Sequence, residues 1–151
     1  MISSRSCAAG LTTENITYRP YETAEVCREP APGVTKTIIT LDAPSSSVKS
    51  DDMVTFVGKL RTSETGEAVG CVMVHIFEED RSFLRDDLLA FDQTNPDGTF
   101  SIKWTAKQKD FWDDKIQVYA KFVGTENYLP SKSKVHKMRV LWYARDHLKN
   151  N

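Results

Sequence analysis

The stretch Asn95-Pro-Asp-Gly-Thr-Phe-Ser-Ile-Lys-Trp104 changes character halfway along. Its first four residues carry turn chemistry. Pro96 presets φ, the Asp97 side chain is placed to bond backbone two residues on, and Gly98 takes a positive φ at little cost. The next residues alternate, with Phe100, Ile102 and Trp104 on one side and Ser101 and Lys103 on the other. Period two is the mark of a strand with one face on a core and one in water. A corner turn therefore hands over to a strand whose three apolar side chains are expected to fill a sheet interior.

The same grammar recurs on both sides. Thr37–Leu41, Met53–Leu60, Cys71–Phe77, the weaker Leu88–Phe91, Thr99–Thr105, Lys115–Val123 and Lys134–Tyr143 are rich in β-branched and aromatic residues and bounded by turn residues. Val72, Val74 and Ile76 share a face, as do Ile116, Val118, Ala120 and Phe122, with Gln117, Tyr119 and Lys121 opposite. Nothing between 35 and 140 sustains helical periodicity, so the crossover helices that parallel βαβ units need are missing. About seven strands must then pair antiparallel in two packed sheets or a closed barrel, and this count and length favour an all-β sandwich over residues 35–142. Residues 1–34, punctuated by Arg28-Glu-Pro-Ala-Pro-Gly33, read as a weakly ordered N-terminal arm or linker. Residues 143–151 read as a tail, with a short helix or a frayed end.

The chain has 151 residues, the size of one domain, and is 40% hydrophobic and 27% charged, a globular composition. A formal net charge of −1 argues against a general nucleic-acid binder. No apolar run approaches the roughly 18–20 residues of a membrane-spanning helix. The first residues lack the apolar stretch of a complete signal peptide, so the chain reads either as intracellular or, the favoured reading, as a mature or excised part of a longer protein with an added Met.

Three cysteines at wide spacing match no zinc or redox motif. Cys7 and Cys27, both in the arm, either bridge in an oxidising compartment or stand as free thiols. Cys71, inside an alternating apolar run, is expected to be a small buried hydrophobe.

No nucleophile motif, phosphate loop or metalloprotease motif is present. His75, His136 and His147 read as solvated or locally bonded, and strand six separates the first two. The acidic groups Asp51-Asp52, Glu78-Glu-Asp80, Asp86-Asp87 and Asp113-Asp114 read as loop charge, with calcium as the weaker alternative, since no spacing matches an EF-hand. Asn15-Ile-Thr17 is a glycosylation sequon. Phe111, Trp112 and Tyr119 are candidates for a ligand-contact loop, against the blander reading that Phe111 or Trp112 caps the core. Lys132, Lys134, Lys137 and Arg139 are placed to guard an exposed last strand against edge pairing.

The order of segments TIITLDAP, DDMVTFVGKL, GEAVGCVMVHIF, NPDGTFSIKW and IQVYAKFVGTENYLPSKS resembles the immunoglobulin-like modules of bacterial and archaeal surface and exported proteins, the archaeal type most of all. The matching positions are Val54, Phe56, Gly58, Leu60, Gly66, Val69, Asp97, Gly98, Phe100, Val118, Ala120, Phe122, Gly124, Tyr128, Pro130 and Ser131. The paired sheet cysteines of antibody domains are lacking. The resemblance implies an immunoglobulin-like sandwich without enzymatic activity or cofactor, extracellular or at the cell surface, acting as a spacer or in adhesion toward another protein or a cell-surface polymer. The alternatives are a carbohydrate-binding module and an accessory subunit whose arm and tail order on a partner.

Overall fold

A computed structural model describes residues 27, 29–30, 32–80, 85–107 and 114–141. Among them are nine strands and no helix: β1 (Thr37–Leu41), β2 (Ser47–Lys49), β3 (Met53–Thr62), β4 (Met73–Glu78), β5 (Asp87–Gln93), β6 (Thr99–Thr105), β7 (Lys115–Phe122), β8 (Ser131–Lys132) and β9 (His136–Leu141). The smaller sheet has the order β1-β3-β6. The larger runs β2-β9-β7-β4-β5, with β8 also on β7. Of the seven strands expected from sequence, the first, second and fifth form one sheet and the others the second. The result is an all-β sandwich of two sheets, with the fourth of these strands beside the third in the larger sheet.

Two strands escape the sequence reading. β2 is three residues long in a serine-rich stretch and pairs parallel with β9, so the sandwich is not wholly antiparallel. It also covers β9 from Arg139 to Leu141, and Arg139 therefore does not line a free edge. β8 pairs only with the far end of β7. Between β8 and β9 the Ser133 hydroxyl accepts from the Ala120 amide at 2.9 Å, so a side chain replaces one ladder bond where the strand breaks.

The core forms from the alternation. Ile39 and Leu41 of β1, Val54, Phe56 and Leu60 of β3, and Phe100 and Ile102 of β6 meet Val74, Ile76, Ile116, Val118, Ala120, Phe122, Met138 and Val140 of the larger sheet. Each of these side chains larger than alanine stabilises by about 1.5–3 kcal/mol on full burial. Trp104 departs from expectation. It is half-buried at the margin of the core, with its ring 6.0 Å from that of Phe56. Gly58 is required where it stands, because a Cβ there would collide with the Thr40 carbonyl and the Phe100 ring.

The Asn95–Gly98 turn forms as read. The Gly98 amide donates to the Asn95 carbonyl at 2.8 Å, the Thr99 amide to the Asp97 carboxylate at 3.0 Å, and Gly98 has φ +84°.

Cys71 corrects two expectations. It is exposed, precedes β4 rather than lying inside it, and has a left-handed φ of 60°. In the alternation it has the opposite parity to Val72, Val74 and Ile76, so the apolar run does not bury it. Its sulfur is bonded to Cys27, with the Cα atoms 5.9 Å apart, within the ordinary disulfide range. Cys27 is thus committed to Cys71 and not to Cys7. Cys7, Asn15, Phe111, Trp112, His147 and the expected C-terminal helix lie outside the described residues.

Candidate functional site

The outward positions of a half-buried sheet are ordinarily polar, but on part of the larger sheet they are not. The register aligns Phe91 of β5, His75 of β4, Lys121 of β7 and Lys132 of β8 in one row. The next row is Leu88, Phe77 and Tyr119. A register shift between Ile76 and Phe77 marks a bulge in the β4–β5 pair. The extra residue lets Leu89 and Ala90 both pack on the core while Leu88 and Phe91 both face out. The Phe91 and His75 rings are 5.8 Å apart, His75 and Phe77 6.1 Å, and Phe77 stacks on Tyr119 at 5.7 Å.

One half of this cluster is sealed. The Tyr119 hydroxyl donates to the Asp86 carboxylate, which also accepts the Asp80 amide at 3.0 Å. The Tyr119 bond, then the Asp80 amide, hold the Asp86 carboxyl below its usual range. Burial first, and then Asp86, push the Tyr119 phenol above its ordinary value. The Lys132 ammonium sits 4.1 Å over the Tyr119 ring and 3.6 Å from Glu79. Tyr119 is therefore only 4% exposed. This corrects the expectation that it belongs to an open contact loop: it points outward as the alternation requires, but neighbouring side chains cover it.

The other half is open. Phe91 is 56% exposed, Leu88 48% and Met73 37%. Beside them His75 is half-buried, with its Nδ1 buried and without a hydrogen-bond partner. Lys121 borders the cluster with its ammonium 6.0 Å from the Phe77 ring. Among the described strands β5 ends the sheet on this side, with no strand paired on its outer edge. The signal for this surface was present in the sequence as His75 and Phe77 at outward positions of a strand and Phe91 in the weakest run.

The remaining candidates are engaged locally. His136 Nε2 lies 2.8 Å from the Leu41 carbonyl and ties β9 to β1. Asp114 pairs with Arg139 at 2.6 Å and Asp51 with Lys107 at 3.0 Å. Among the described residues no group of three or more His, Cys, Asp or Glu is gathered to hold a metal ion. His75 and His136 lie on strands with β7 between them, so they form no joint site.

No known protein family matches the chain. No curated protein matches it either. Among solved structures, it is similar to a β-glucosidase from Listeria innocua in complex with glucose, at 12% identity and a TM-score of 0.46. That match covers 71% of this chain and 16% of the other. A likeness of this size says nothing of what this chain binds.

Proposed function

We propose that the chain is a noncatalytic immunoglobulin-like module of an exported or surface protein, and that it contacts another protein through the open half of the aromatic cluster. The observation that carries this reading is the group Met73, Leu88 and Phe91 standing exposed around half-buried His75 on a sheet face. Contiguous apolar exposure on a soluble domain marks contact surfaces, and aromatic residues and Met are enriched in them. Lys121 at the margin supplies charge that orients a partner. The disulfide between Cys27 and Cys71 supports an oxidising compartment, as does the resemblance to surface modules.

The test is site-specific photo-crosslinking in the cells the protein comes from. A photoreactive side chain at Phe91 is compared with one at Lys103, exposed on the opposite sheet. A discrete adduct from position 91 alone is expected. Equal adducts from both positions, or none from 91, would overturn the reading.

A second reading, a carbohydrate-binding module, is favoured by one observation: the Phe91, His75 and Phe77 rings lie side by side on an open face. Such rings can stack on a sugar. This shifts the contact from Phe111, Trp112 and Tyr119 to Phe91, and retention on polysaccharide that is lost in Phe91→Ala would select it.

A further inference from the structure

Among the described residues up to Thr35, the segment before β1 has two main attachments to the sandwich, neither of them through the core. At one, the Thr35 amide donates to the Asn127 carbonyl at 2.9 Å and the Thr35 carbonyl accepts the Leu129 amide at 2.8 Å. At the other, Cys27 is bonded to Cys71. Between them the described residues Glu29, Pro30, Pro32, Gly33 and Val34 are all exposed. None belongs to the hydrophobic core, which begins at Ile39. The link described among them is a contact at 3.5 Å from the Asn127 amide to the Gly33 carbonyl.

The two attachment points lie on different connections. Asn127 and Leu129 belong to the β7–β8 connection. Cys71 belongs to the β3–β4 connection, where its amide donates to the Thr94 carbonyl at 3.0 Å, beside the end of β5. Met73 and Gln93 are paired next to it, at the edge of the aromatic face.

We propose that the Cys27–Cys71 disulfide is a linker clamp. It moves the point at which everything N-terminal to residue 27 leaves the sandwich from Thr35, on the β7–β8 connection, to Cys71, at one end of the aromatic face. Without it, the proline-rich segment before Thr35 is a hinge, and domains joined by such a segment reorient freely. With it, the segment is a closed loop anchored at both ends, and whatever precedes the sandwich is held at a fixed point beside Met73 and Phe91. The clamp acts chiefly on direction and adds little to folding, because neither cysteine belongs to the hydrophobic core. It stands whether or not the proposed partner contact is correct.

The test is a distance distribution by electron paramagnetic resonance between noncysteine spin labels at Glu29 and Thr55, both exposed, in protein with Cys7→Ser. The oxidised protein is expected to give a narrow distribution. Reduction by dithiothreitol, which turns the disulfide into two thiols and is itself oxidised to a cyclic disulfide, is expected to broaden it several-fold. Cys71→Ser is expected to do the same, with cooperative thermal unfolding of the sandwich kept in both cases. A broad distribution in the oxidised protein, a narrow one that survives reduction, or loss of cooperative unfolding on reduction would each overturn the clamp. So would a peptide map of wild-type protein in which Cys27 is joined to Cys7.

Discussion

The Tyr119 hydroxyl and the Asp86 carboxylate are hydrogen-bonded across the outer face of the larger sheet, tying the lead-in of β5 to the middle of β7. The bond divides the aromatic cluster. Tyr119 is sealed beneath Asp86, Lys132 and Glu79 and serves the fold, while Phe91 and Leu88 remain exposed.

Tyr119→Phe should therefore cost about 1.5–3 kcal/mol in chemical denaturation, the range for a hydrogen bond to a charged acceptor. Asp86→Ala should cost at least as much, because it leaves the buried phenol without an acceptor. The pH dependence has a definite sign. The Asp86 carboxyl is held below its ordinary value of 3.8, so the unfolded chain takes up its proton at higher pH than the folded one does. The stabilisation is complete above about pH 5 and is lost as pH falls through the lowered native value. The stability difference between wild type and Asp86→Asn should shrink steadily below pH 4.

At His75 the expectation runs the other way. Its Nδ1 is buried and unpaired in the isolated chain. His75→Leu removes an unsatisfied group and keeps an apolar neighbour for Phe77 and Phe91, so the melting temperature should hold or rise. Phe91→Ala, at an exposed position, should change stability by no more than about 0.5 kcal/mol, yet weaken partner crosslinking from neighbouring positions.

In the core, Phe100→Ala should cost about 3–5 kcal/mol and Trp104→Ala clearly less, since Trp104 is only half-buried. Gly58→Ala should destabilise although it adds one methyl group, because the Thr40 carbonyl and the Phe100 ring occupy the space. Denaturation midpoints of the three variants give the order directly.

What the sequence made legible was local. The Asn95–Gly98 turn and the alternation through Phe100 and Ile102 rest on neighbouring residues, and they appear as read. β2 and β8 were illegible because three and two residues carry no period; distant partners alone define them. For Tyr119, alternation assigned the direction correctly but not the exposure. That depends on Asp86 and Lys132, which reach it from other strands or connections. Cys71 was misjudged by composition where parity already placed it outside. The exposed apolar surface was hidden in Leu88–Phe91, the least convincing run, because its bulge turns two apolar residues outward instead of alternating them.

The disulfide should stabilise less than its span suggests. It joins residues 44 apart, but when Thr35 is fixed in the folded state only about eight residues are free to close. Loop closure scales as (3/2)RT ln n, so the folded chain gives up part of the same entropy and the net gain is about 1.5 kcal/mol. Equilibrium denaturation with and without reductant, in the Cys7→Ser background, measures it.

The proposed contact has an internal control in two exposed methionines. Met73 borders Phe91 and His75 on the larger sheet, and Met53 lies on the outer face of the smaller one. Oxidative footprinting, first on the isolated protein and then in the intact cells or assembly it comes from, reads both at once, with buried Met138 reporting that the sandwich is folded. Both methionines should oxidise readily in isolation. In the native setting Met73 should be protected and Met53 should not. Equal oxidation of Met73 and Met53 in that setting would contradict a contact through this face.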